Sequence, residues 1–469
     1  MINISINNKI RKIIIAVLIL AIVSIIAFCV IYQKEREING MKPVAEIRIT
    51  SEEMKDRRLL WEDGYVAALV HIEADGYDLA DDVCEIKVRG NSTLEADKLS
   101  YALRLKDSRD ILGMGRGRKW VLLANAYDPT LLRNYAALSV AGKLRLDYTS
   151  ECRFADVWIN DIYQGNYLIT EPVQDGADRV DIHPGAGDFL VEYERTREDE
   201  DKTSYIITDN GYRYLIHDPK HANESQAEYV LSVMNHVEEV IVETQVGSDN
   251  ASVSNEEKDI DDNMGFNVMK ASSDKESSAT QDSIEKLSEV IDIDSFVDYC
   301  VFAEFMKSVD MGFSSEYYYY KDGLLYAGPV WDYDLSAGNV NSSYYTHYSN
   351  LATTGDSAEG FWIDEQGKLL KCLMECREFR KLVWDRYGSE DVQKIFAGIY
   401  DEGGLIDETV KAYGASFDNN YGEGLWEEGK QYFAYAGTPL PAFEENVEYL
   451  KQWYKRRNEW LLDNIKLNY

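Results

Sequence analysis

Three acidic residues, Asp310, Asp332 and Asp334, have the type and spacing to do chemistry. Asp310 closes the apolar run FAEFMKSVD, whose spacing predicts a helix over 294–309. Two short strands, 316–320 and 324–327, follow around Lys321-Asp322-Gly323, because Asp-Gly suits a tight hairpin turn. Asp332 and Asp334 then stand two positions apart in WDYDLS. In an extended chain such positions share one face. Two carboxylates there repel each other unless a cation lies between them, and a divalent ion held by oxygens is the usual solution. The competing reading is that both acids cap a turn at a domain surface. Spacing alone does not separate the two.

Other chemistries have weaker signals. Gly113-Met114-Gly115-Arg116-Gly117, beside Arg118 and Lys119, is either a phosphate cradle or a plain turn; it lacks the Lys-Ser/Thr of a P-loop. His217 and His221 have helical spacing, but Pro219 lies between them and no Glu follows the first His. No Gly-x-Ser-x-Gly elbow occurs. Asp259, Asp261 and Asn263 open like a calcium loop, yet Gly265 falls one place late and Lys270 stands where Glu is needed. Cys372 and Cys376, one helical turn apart with no further ligand nearby, read as buried thiols. Paired carboxylates could also hydrolyse a glycosidic bond, but that depends on a separation no sequence gives.

The chain has 469 residues and a formal charge of −34. That length supports two or three packed units. The charge argues against nucleic acid as a partner, which needs a basic surface. The 33 tyrosines and 9 tryptophans fit a carbohydrate-contact surface but more often fill a core.

Residues 13–32 carry no charge and are long enough to cross a bilayer as a helix. Lys9, Arg11 and Lys12 precede them, so residues 1–12 are expected to stay cytoplasmic and the rest to lie outside. The absence of a clean cleavage site favours an uncleaved single-pass anchor in the cell membrane over a removed signal. A linker at 33–44 follows. Residues 41–86 alternate like antiparallel strands. Tyr101, Leu103 and Leu105 face one way, and Arg104 and Lys106 the other; Lys98, Arg104 or Lys106 could reach a phosphate or simply be solvated. Residues 119–125 form a buried strand. Asp128 as cap and Pro129 as first helical residue start a helix running from about Leu131 to Leu144. Hairpins are expected over Asn160-Asp161 and Asp209-Asn210-Gly211, and a helix over 227–244. The acidic stretch 246–286 has too little apolar content to fold and reads as a disordered insert. The remainder is mostly helical: 367–387, 389–400, 406–417 and 442–465.

Four motifs occur in one order: Arg89-Gly90-Asn91-Ser92-Thr93; 119–125 with Asp128 and Leu132-Arg133-Asn134; Gly165-Asn166-Tyr167-Leu168 with Glu171; and Trp331-Asp332-Tyr333-Asp334-Leu335-Ser336. Together they resemble the spore-coat protein H (CotH) kinase family over roughly 45–465. The order of acid, strand pair and metal-type acid is also the protein-kinase order. The resemblance implies an α+β, atypical protein-kinase-like fold of two lobes. An antiparallel-sheet nucleotide lobe would occupy 45–175 and a mostly helical catalytic lobe 176–469. It implies ATP and Mg²⁺ or Mn²⁺ as cofactors, and transfer of phosphate to Ser/Thr of surface or secreted proteins. By position, Asp310 matches the catalytic Asp, and Asp332 the metal-binding Asp with Asp334 beside it. Lys98 and Arg104 fall in the basic stretch of the nucleotide lobe, and Glu171 closes the hinge-like strand. Ser315 departs from the Asn that many kinases place five residues after the catalytic Asp. The alternative is a noncatalytic adaptor on the same scaffold, binding wall polymers or partner proteins.

Overall fold

The structure is a computed structural model that describes residues 44–54, 64–90, 96–195, 205–245, 279–341, 355–422, 426–430, 434 and 436–465. The expected anchor at 13–32 and most of the expected insert, 246–278, lie outside the described residues. Among the described residues, no helix is long and apolar enough to cross a membrane.

The first half of the chain alternates apolar and polar residues with period two, and it forms strands accordingly. These are β1 (Ala45–Thr50), β2 (Val66–Ala74), β3 (Tyr77–Arg89), β4 (Ser100–Asp110) and β5 (Arg116–Leu123). After helix α1 (Arg133–Ala141) come β6 (Cys152–Ile159) and β7 (Ile162–Thr170). The α+β class is as expected, but the antiparallel sheet is more than a sheet. It closes into a seven-stranded barrel in the order β1-β2-β3-β4-β5-β7-β6. Closure comes from one parallel pairing, Ala45 to Ile49 of β1 against Ala155 to Ile159 of β6. Inward side chains such as Ile47, Ile86, Tyr101, Leu103 and Trp120 fill the interior.

A second sheet has the order β12-β11-β8-β10-β9 and is antiparallel throughout. Its strands are β8 (Phe189–Tyr193), β9 (Tyr205–Ile207), β10 (Arg213–Asp218), β11 (Glu316–Lys321) and β12 (Leu324–Ala327). Helices α2 (Glu224–Gln245), α3 (Ala279–Ser288) and α4 (Ile293–Met306) intervene. Then come α5 (Trp362–Gln366), α6 (Leu369–Glu375), α7 (Arg377–Tyr387), α8 (Glu390–Tyr400), α9 (Leu405–Tyr421) and α10 (Phe443–Asn464). The last eight residues of the expected insert are helical in α3, and Leu287 just beyond them is fully buried. The helix expected over 367–387 breaks at Cys376 into α6 and α7. The tyrosine-rich strand β11 is core: Tyr318 faces the main core with Phe296, while Tyr317 and Tyr319 face a smaller cluster with Trp331.

Helix α9 cements the barrel to the helical region. Phe154 of β6 meets Tyr413 and Phe417 at ring-centroid distances of 5.3 and 5.2 Å. The Ser416 hydroxyl donates to Asp156 at 2.6 Å, and Asn420 Oδ1 accepts from the Asn166 backbone N–H at 3.0 Å.

Candidate functional site

Helix α4 ends at Lys307, which takes a left-handed φ of 53°. Asp310 lies beyond it in a turn, where its carbonyl accepts from the backbone of Phe313 and Ser314, each at 2.9 Å. The turn is held from outside: Trp362 Nε1 donates to the Ser308 carbonyl at 2.6 Å. The hairpin of β11 and β12 forms as expected, with Asp322 and Gly323 at φ of 54° and 91°. It delivers the chain to Asp332.

That segment is not extended. Asp332 has a φ of 65°, so the shared strand face expected for Asp332 and Asp334 is absent. A different device brings the acids together. Asn134 of α1 accepts the Tyr333 backbone N–H at 2.7 Å, and Arg133 Nε donates to the Ser336 carbonyl at 3.0 Å. Asn339 donates to the carbonyls of Asp334 and Tyr127 at 2.7 and 2.8 Å. The Val309 N–H donates to Leu335 O at 3.1 Å, tying the Asp310 turn to the same strap. Residues 128–134 therefore position the acids. Asp128 does this without capping a helix at Leu131: its carboxylate accepts from the backbone of Thr130 and Arg133, and Leu131 takes φ of 60°.

Asp310, Asp332 and Asp334 line one cavity of about 780 Å³ between the barrel and the second sheet. That lies within the usual range of ligand pockets, ~300–1,000 Å³. Leu123, Val173 and Trp331 give it an apolar wall and belong to one packed cluster. Glu192 and Glu194, from β8 and its end, add two buried carboxylates. His217 of β10 also lines it, with Nε2 2.7 Å from a Glu192 carboxylate oxygen and its ring beside Tyr317.

The negative charge is poorly compensated. Burial, then Asp332, Glu194 and Glu192, hold the Asp310 carboxyl well above the usual carboxylate range. Burial, Asp332, Asp310 and Asp128 do the same to Asp334. Asp332 is also raised by burial, but Arg89 opposes the shift. Clustered carboxylates of this kind either hold protons or attract a cation. Among the described residues, no three Asp, Glu, His or Cys side chains stand close enough to cage a metal alone. Magnesium rarely uses such a cage; one or two carboxylates completed by phosphate oxygens suffice. The oxygen-only, anionic donor set fits a hard divalent cation in that way.

The residues expected at a cofactor do not line this cavity. Lys98 lies in a neighbouring cleft, where Nζ donates to the Asn166 carbonyl and to Asn420 Oδ1, the latter at 2.8 Å. Arg104 lies on the barrel's outer face, paired with Glu85 at 2.6 Å and stacked on Tyr65. Glu171 is buried against Arg179 and accepts the Glu151 N–H at 3.0 Å; its neighbours Pro172 and Val173 reach the cavity instead. In the glycine-rich loop, the Arg116 backbone N–H binds the Asp178 carboxylate at 2.9 Å, so a side chain occupies the place of a phosphate. Sequence reasoning missed Arg89, Glu192, Glu194 and His217. Arg89 stood inside a quoted motif, and Glu192 and Glu194 have the same two-residue spacing that singled out Asp332 and Asp334.

The fold is thus a closed barrel and a five-stranded sheet with helices, with an acid-lined cavity between barrel and sheet. The sequence carries the identity. The family model described as CotH kinase protein matches residues 86–461, and the chain belongs to that family. No curated protein matches the chain.

Proposed function

We propose that the chain is a membrane-anchored, externally facing protein kinase that transfers the γ-phosphate of ATP to Ser/Thr of surface or secreted proteins. The observation that carries this reading is the convergence of Asp310, Asp332 and Asp334 on one cavity with an apolar wall. Leu123, Val173 and Trp331 give a base a place to stack. Asp332 and Asp334 would hold Mg²⁺ or Mn²⁺, which when bound would neutralise phosphate charge. Asp310, which lines the same cavity, would accept the acceptor hydroxyl's proton. The apolar, uncharged run 13–32 and the basic residues before it support the anchor and its orientation.

The test incubates the full chain, purified from the membrane fraction, with ATP and Mn²⁺ and locates phosphate by mass spectrometry. Asp310→Asn is expected to keep its fold and lose about 10²–10⁴ of the rate. Undiminished labelling would remove Asp310 from this role, and a chain found wholly in the soluble fraction would remove the anchor. The adaptor reading rests on Ser315, which lines the cavity where a longer amide is usual. No rise in melting temperature at millimolar ATP and Mn²⁺ would favour it, since a ligand of the folded form stabilises that form.

A further inference from the structure

Arg89 is the last residue of β3, and Gly90 behind it has a φ of 123°, which turns the chain away from the strand. The side chain lines the acid cavity, and its guanidinium stacks over Trp331 at 5.2 Å. Burial disfavours its charge, and the carboxylates of Asp332 and Glu192 favour it, Asp332 the more strongly. Yet among the described residues the Arg89 guanidinium, unlike its backbone in the β3–β4 ladder, forms neither a hydrogen bond nor an ion pair. The other basic residues considered are committed: Lys98 to Asn166 and Asn420, Arg104 to Glu85, Arg179 to Glu171. A guanidinium carries five donors, stays charged and matches phosphate with two parallel hydrogen bonds. These donors are uncommitted to protein acceptors although two carboxylates, Asp332 and Glu192, act on the guanidinium.

We propose that Arg89 is an exchangeable counter-ion, a positioning residue that offsets the acid cluster until a divalent cation takes Asp332, and that then grips the nucleotide phosphates. This rests on the kinase reading above. The exchange couples the two ligands. Metal alone meets repulsion from Arg89, and nucleotide alone meets repulsion from the carboxylates. Bound together, each offsets the repulsion the other meets, and by linkage each raises the other's affinity equally.

The test uses the full chain and measures binding of Mn²⁺ alone, and of a non-hydrolysable ATP analogue with Mn²⁺, by calorimetry. Arg89→Ala is expected to bind Mn²⁺ alone tighter, by about 3-fold or more, because a positive charge has gone. It is expected to bind the analogue about 10–100-fold more weakly, the scale of charge-assisted hydrogen bonds. The opposite signs separate this role from general damage to the site. Arg89→Lys, which keeps the charge and loses the fork, should restore wild-type Mn²⁺ binding and only part of the analogue affinity. A Mn²⁺ affinity unchanged or weakened in Arg89→Ala, with Arg89→Lys folded as the wild type, overturns the exchange. So does an unchanged analogue affinity. A wild-type chain that binds no analogue at all overturns the kinase reading, and this inference with it.

Discussion

Lys98 shows how much of a residue's chemistry depends on its surroundings: it lines a cleft beside the acid cavity, not that cavity. A lysine before a strand in the barrel region is a natural phosphate ligand. In the fold it is buried, and burial lowers its pKa from 10.5 to about 7, opposed by Asp156. It ties the barrel to α9 through Asn166 and Asn420. The unfolded chain holds the Lys98 proton up to its ordinary pKa, whereas the folded chain releases it from about 7 upward. Between those values the unfolded state binds more protons, so this lysine's contribution to stability rises with pH. Below about 7 the folded protein must keep a charge buried. Lys98→Met removes this slope. The stability lost in the variant should therefore grow from pH 6 to pH 9, read as the difference in melting temperature at each pH. A gap that is constant across that range would show that Lys98 is not buried near neutrality. Asp310, Asp332 and Asp334 were legible because three acids around an Asp-Gly hairpin form a local pattern. Arg89 was not singled out because its value lies in what it fails to touch, and that is a property of packing.

At the level of elements, the hairpin-turn signals held, while the helix start at Leu131 and the unbroken helix over 367–387 did not, and long-range pairing left no local signal. The hairpin turns at Asn160-Asp161 and Asp322-Gly323 place both residues at positive φ, as those residue types favour. Barrel closure by β1 on β6 joins Ala45 to Ala155, and no window of sequence contains both. Likewise α1 was foreseen as a helix but not as the holder of the acid strap. Gly338 makes that strap testable. It has a φ of 78°, and an added Cβ would lie 2.5 Å from Trp453 Cδ1 on α10. Gly338→Ala thus forces either the strap or the indole to move, at about 1–3 kcal/mol for the overpacking and a further cost for the strained backbone. Chemical denaturation should show a loss of at least that size. Adding Trp453→Leu to Gly338→Ala should recover part of the overpacking cost, beyond what the separate effects predict. A neutral Gly338→Ala would mean that the strap is loose, and Asp334 with it.

The charge of the whole molecule bears on how a nucleotide arrives. At −34 the chain repels an anionic metal–nucleotide complex at long range, whatever Arg89 offers inside the cavity. The two effects have different reach. Raising ionic strength from about 0.01 to about 0.1 M shortens the screening length from about 30 to about 10 Å. The diffuse repulsion is then largely removed, while a guanidinium against phosphate in a partly buried site is weakened much less. Association of the ATP analogue with Mn²⁺ present should accordingly speed up with salt over that interval, by a few-fold, with little change in dissociation. A nucleotide-binding protein of basic net charge would show the reverse. Stopped-flow kinetics at fixed Mn²⁺ and varied KCl reads both constants. Slower association at higher salt would mean that a local positive field, rather than the overall charge, governs the approach. The acid surface would then face away from the cavity mouth.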